Sequence, residues 1–282
     1  MKIFDIHPHV ISPDRKKYPF SNVFDHVAPY VEQRPIDTER MLREMDEAGV
    51  TKSALVHSST AYGYDNSYVA DSAQAHPDRF ASVCSIDVRA ADAPATLRHW
   101  IVDRKMNGLR IFTAGGTMAE NSDWLVDPVT FPLWEEATKL GIPVCLQMKA
   151  GGFKVLPALI ERYPNVRVIL DHVSHPKASD GPPYHAADPL WALKGAKNLY
   201  LKISTTNFPE WNEGASTTEQ FLGKCIDTFG VDRIAWGSNY PASEGPLKKL
   251  VELAKRELAF LGEREREQIF SGTALSLYPT LA

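Results

Sequence analysis

Two histidines one residue apart, His7 and His9, stand at the end of the first apolar run of this sequence. In extended chain, residues i and i+2 project to the same side. The pair can therefore act together: on a metal ion, on a carbonyl oxygen, or as a base near neutral pH. A second cluster lies far along the chain, where Asp171-His172 ends another apolar run and His175 follows three residues on. Arg110 sits inside the apolar run Gly108–Phe112. A buried guanidinium needs an anion, and the reading favoured is a grip for an anionic substrate, with an internal ion pair as the alternative. His57, Gln147 and Asn239 also close apolar runs. Tyr62, Tyr184 and Trp211 are candidate pocket walls or simply loop packing, and Lys202 is read as structural.

Those residues need elements to hold them. Eight apolar, β-branched runs read as strands: Lys2–His7, Ser53–His57, Phe80–Ile86, Gly108–Phe112, Pro143–Met148, Arg167–His172, Leu199–Ser204 and Arg233–Asn239. Most are apolar nearly throughout, as parallel strands covered on both faces must be. Helical patterns fill the gaps. Thr38–Ala48 has Asp37 before it and Gly49 after it, a cap and a stop. Asn66–Ala75, Ala93–Lys105, Pro132–Leu140, Lys154–Tyr163, Pro189–Lys194, Thr217–Phe229 and a last region from Pro246 to Leu277 follow. Eight alternations point to an α/β fold, a (β/α)₈ TIM barrel. No Gly-rich phosphate loop follows the first strand, the loop that an open doubly wound sheet usually carries there. In such a barrel, chemistry gathers at the C-terminal strand ends, which is where the polar residues above fall. The loops Thr113–Asp127 and Lys177–Ala187 are placed to cover the mouth.

The length, 282 residues, suits one such barrel of about 250 residues, and no linker-like break divides it, so residues 1–282 are read as a single domain. Thirty-one basic and 35 acidic residues give a net charge of −4 without a basic run, which argues against a nucleic-acid partner. No run approaches the roughly 18 apolar residues of a membrane span, and the N-terminus has no apolar signal core. Cys84, Cys145 and Cys225 are odd in number and far apart, so free thiols in a reducing compartment, and a cytoplasmic location, are expected.

His7-Pro8-His9 after Asp5, Gly108-Leu109-Arg110-Ile111, Asp171-His172 and Trp236-Gly237-Ser238-Asn239-Tyr240-Pro241 together resemble the amidohydrolase superfamily. Within it they are most similar to the amidohydrolase-2 group of 2-pyrone-4,6-dicarboxylate lactonase and sugar-lactone hydrolases. The resemblance runs from residue 3 to about residue 278. It implies a distorted barrel that hydrolyses a ring ester or amide, with the HxH histidines holding a divalent metal or polarising the carbonyl and a strand-eight acid activating water. Arg110 matches a position that grips a substrate carboxylate in the lactonase branch.

Two positions depart from that pattern. Strand eight usually ends in Asp and here ends in Asn239; strand five often supplies a metal-binding His and here offers Gln147. An amide takes no proton from water and adds no charge to a metal site. Asn239 therefore belongs to a subgroup whose base is His172 or His175, or replaces an acid to trap substrate, or marks lost catalysis. The expected catalytic set is His7, His9, His172 and Asn239, with Arg110, His57, Gln147, Tyr62 and His175 against substrate. The reaction expected is hydrolysis of a small carboxylated lactone; a metal-dependent decarboxylase and a silent binder are the alternatives. No cofactor is the favoured expectation, with His7, His9 and His172 donating hydrogen bonds to the carbonyl. The alternative is one zinc or manganese ion on those three, with an open fourth position. The partner expected is a small carboxylated molecule, with a homodimer the commonest symmetry.

Overall fold

In the computed structural model of the chain, residues 1–24, 27–113 and 121–282 are described. Each apolar run contains a strand: β1 (Phe4–Asp5), β2 (Lys52–Val56), β3 (Phe80–Cys84), β4 (Gly108–Phe112), β5 (Val144–Gln147), β6 (Val168–Asp171), β7 (Leu199–Ser204) and β8 (Ile234–Gly237). They lie side by side in chain order, with neighbours from β1 to β8 paired parallel, from Phe4 opposite Lys52 to Ser204 opposite Gly237. The Ile6 amide donates to the Trp236 carbonyl at 3.3 Å and brings the last strand against the first. The result is a nearly closed, distorted (β/α)₈ barrel.

β1 is short because Pro8 has no amide proton for a ladder; its carbonyl still accepts from the Val56 amide at 2.8 Å. Where β8 passes β1, a side chain at Gly237 would place its Cβ 2.5 Å from His7 Cβ. Only glycine lets the strands meet here.

Helices follow their local chemistry. Thr38–Ala48 starts where the Asp37 carboxylate accepts the Arg40 amide, and stops at Gly49, left-handed at φ 72°. The region expected from Pro246 to Leu277 is not one helix. It divides into Leu247–Glu257 and a second stretch that runs from Glu263–Glu267 through the π-helical turn Gln268–Gly272 into Thr273–Leu277; Gly262 restarts the chain, its amide donating to Glu265 Oε2 at 2.9 Å. Leu55, Leu109, Leu146 and Leu170 pack outward under the helices. An inner cluster holds Phe4, Ile6, Ala54, Ala81, Ile169 and Ala235 with Tyr278 and Leu281. The C-terminal segment is tied to the strand starts, since Lys52 Nζ reaches the Ala282 carbonyl at 2.7 Å. The opposite end of the barrel is left to the loops. Of the loop Thr113–Asp127, residues 114–120 lie outside the described residues. Lys177–Ala187 contains Tyr184, which is buried and rests edge-on against Phe221, as Trp211 packs on the same ring. No helix among the described residues is long and apolar enough to cross a membrane.

Candidate active site

Beneath the site lies a charged cluster inside the barrel. Asp171, at the end of β6, is fully buried. Its Oδ2 accepts from Arg110 Nε on β4 at 2.7 Å, and its Oδ1 lies 2.7 Å from Lys202 Nζ on β7. β4 and β6 are not neighbours, so the Arg110 pair spans the interior. Burial alone would raise the Asp171 carboxyl; the two cations outweigh it and hold the group well below its usual range. Arg110 is thus an internal ion pair, and it also faces the cavity above.

That cavity, of about 250 Å³, is lined by His9, His57, Arg110, Gln147, His172, His175, Asn239 and a rim that includes Tyr30, Phe112 and Thr206. Seven of the nine residues expected from the strand ends and their loops therefore share one space. The other two are placed differently. His7 is completely buried below the surface of the cavity, its ring centroid 4.7 Å from that of His172 and its Nδ1 3.6 Å from Asp171. Tyr62 does not line the cavity. Its hydroxyl accepts the Ser12 amide at 2.7 Å and its ring packs against Phe20 and Tyr68, so it is spent on folding the loop after β1.

Hydrogen bonds settle which ring nitrogens are available. His9 Nδ1 lies 2.9 Å from the Val56 carbonyl. A carbonyl only accepts, so Nδ1 carries the proton and Nε2 of the neutral ring carries a lone pair. His9 cannot then donate to a substrate carbonyl through Nε2, contrary to the expectation above. Likewise His57 Nε2–H donates to the Gly63 carbonyl at 2.9 Å. His172 Nδ1 meets the Ser204 hydroxyl at 2.7 Å. His175 Nδ1 lies 2.7 Å from Glu210 Oε1. Asn239 sits in the left-handed region at φ 59°, which Asn tolerates, and its Nδ2 donates to Ser243 Oγ at 3.3 Å.

The described donors do not fit a metal ion. Among the described residues no three His, Cys, Asp or Glu groups are placed to hold one. Asn239 adds no charge, and Asp171, 3.6 Å from His7 Nδ1, is taken up by two cations. Of the set His7, His9 and His172 expected for zinc or manganese, both ring nitrogens of His7 are buried without a hydrogen-bond partner, and His9 keeps a lone pair on Nε2.

Burial drives the imidazoles toward their neutral forms. His9 is lowered to about 3 and His57 to about 4, and His7 and His172 are also well below the ordinary 6.5. An unfolded histidine takes up its proton near 6.5, so below that pH the unfolded chain binds more protons. Stability is full above pH 6.5 and is lost as the pH falls, by about 2 kcal/mol for each such histidine at pH 5. The melting temperature should drop steeply between pH 6.5 and pH 5; a flat profile would mean that these rings do not stay neutral.

Several residues of the site gave no signal at a strand end. Glu210 and Asn207 lie on the short helix Asn207–Trp211 after β7. Tyr30 stacks on His9 with centroids 5.5 Å apart. Only the position of Glu210, a carboxylate soon after a strand end, could have drawn attention to it.

A family model described as Amidohydrolase matches residues 4–280. L-fucono-1,5-lactonase of Burkholderia ambifaria is 26% identical over 264 residues, 89% of this chain and 87% of that protein. The crystal structure of a probable 2-pyrone-4,6-dicarboxylic acid hydrolase from Acinetobacter baumannii, with citric acid bound, has a TM-score of 0.78 at 17% identity. That match covers 99% of this chain and 100% of the other. 2,6-Dihydroxybenzoate decarboxylase from Rhizobium has a TM-score of 0.72 at 17% identity, over 99% of both chains. At these identities the two structures speak to the barrel alone.

Proposed function

The chain belongs to the amidohydrolase family, and from that premise we propose that it hydrolyses a small carboxylated lactone without a metal ion. One observation carries the reading. Among the described residues that line the cavity, Arg110 is the only one with a full charge, and the rest of the polar lining is imidazole, amide and hydroxyl. A cavity of that make-up favours a small anion and offers bases for water. The relative named as a lactonase supports the ring ester as the bond attacked.

Arg110 would hold the substrate carboxylate while Asp171 fixes the guanidinium plane through Nε. Phe112, its ring 4.5 Å from the Arg110 guanidinium carbon, gives that end of the cavity an apolar wall. Asn239 and Thr206 both line the cavity, and in this reading their amide and hydroxyl would hydrogen-bond the ring ester. Asn239 cannot take a proton from water, so the base must come from the imidazoles. Metal independence is supported by the donor set and by the excess of cations in the buried cluster, two against one on Asp171.

The test is acid release from a panel of carboxylated γ- and δ-lactones after exhaustive dialysis against a chelator. Rates should stay within about twofold of the untreated protein. Loss of rate restored by zinc or manganese would contradict metal independence. Release of carbon dioxide from aromatic or enoic acids, with no lactone opened, would favour a decarboxylase.

A further inference from the structure

We infer that His175 is the base that activates water in this cavity, and that Glu210 is its positioning residue. The inference rests on the lactonase reading above. It names the group that replaces the strand-eight acid.

His175 is the one imidazole among the described cavity-lining residues that is held by a carboxylate. Glu210 Oε1 lies 2.7 Å from its Nδ1. A carboxylate accepts only, so Nδ1 carries the proton and the lone pair sits on Nε2, at the far side of the ring. A proton gained at Nε2 makes an imidazolium that already faces a negative charge. This is the arrangement of an oriented general base. The other lining histidines lack it: His9 and His57 bond backbone carbonyls, and His172 bonds a hydroxyl.

The chain goes to some length to build this pair. His172, Val173, Ser174 and His175 all have positive φ, between 50° and 60°. An L-residue in that region costs about 1–2 kcal/mol, and Val is among the least tolerant. Four in succession form a tight left-handed turn directly after β6. The turn is held by Asn207, whose Nδ2 donates to the His172 carbonyl at 2.8 Å. The same amide nitrogen lies 3.3 Å from Glu210 Oε2, and Asn207 Oδ1 accepts the Ser204 amide at 2.9 Å. One asparagine thus ties the end of β7, the strained turn and the carboxylate together. The turn sets the rings of His172 and His175 side by side, 5.2 Å between centroids, both on the cavity. Strain concentrated in this way is a mark of a functional turn.

His175 Nε2 takes a proton from water as the water oxygen bonds the lactone carbonyl carbon, and the C=O π pair moves onto the carbonyl oxygen. The tetrahedral adduct collapses, the ring C–O bond breaks, and the leaving oxygen takes the proton from His175. One water is added, and the new carboxylic acid loses its proton to solvent.

The experiment uses a lactone that the intact chain opens. His175→Ala should lower kcat by about 10²- to 10⁴-fold, with KM within about twofold, an unchanged melting temperature and partial recovery on adding imidazole. Glu210→Gln should lower kcat by at least about 10-fold at unchanged KM, with Glu210→Asp recovering part of it. His175→Ala at full rate, or slowed without imidazole rescue while Glu210→Gln runs at full rate, would overturn the inference and leave the lactonase reading standing. An intact chain that opens no lactone would remove both.

Discussion

Asp171→Asn is expected to destabilise the protein by about 3–5 kcal/mol, the range for breaking a buried ion pair from one side. The cause is the cation pair rather than the carboxylate itself. Lys202 is wholly buried and Arg110 nearly so, and Asp171 lies within ion-pair distance of both. An amide at 171 would remove the carboxylate that both buried cations contact. Lys202 Nζ would keep only Cys145 Sγ, at 3.4 Å. Chemical denaturation at pH 7.5 measures the loss, and the second substitution Lys202→Met in the Asp171→Asn background should recover a good part of it. Additive losses in the double variant would mean that the two residues are not coupled, and the buried cluster would need another explanation.

Arg110→Met is expected to invert substrate preference. The guanidinium is the charge that the described cavity lining offers to a carboxylate. A hydrogen bond to a charged group contributes about 1.5–3 kcal/mol, so kcat/KM for a carboxylated lactone should fall about 10- to 100-fold. A neutral lactone of the same ring should be hardly affected. The fold should survive, because Asp171 retains Lys202 and Met fills much of the space. An equal fall for both lactones would assign Arg110 to the scaffold alone.

Much of the barrel was legible because its strands are continuous apolar runs, and every one of the eight expected runs contains a strand. Helix Thr38–Ala48 was legible to the residue because Asp37 and Gly49 mark its ends chemically. Tyr30–Gln33, Ser59–Tyr62 and Asn207–Trp211 were not, since four or five residues carry no helical period. The site divides in the same way. A polar residue that ends an apolar run is visible in one dimension, and His9, His57, Gln147, His172 and Asn239 all reach the cavity. What was hidden depends on which strands face each other across the interior. The Arg110–Asp171–Lys202 cluster joins β4, β6 and β7, and the Glu210–His175 pair joins residues 35 apart. The tautomer of His9 was hidden too, because it is set by a carbonyl 47 residues away.

Acid release from carboxylated lactones, followed side by side on the chain as it stands and on Asn239→Asp, bears most directly on the claim that this barrel works with an amide at its eighth strand end. The account predicts turnover by the unaltered chain. It also predicts a higher KM for Asn239→Asp, whose added carboxylate would share the cavity with Arg110 and compete with the substrate for it. Turnover that appears only in Asn239→Asp would contradict the account, because the base would then belong at position 239 and the imidazoles could not supply it.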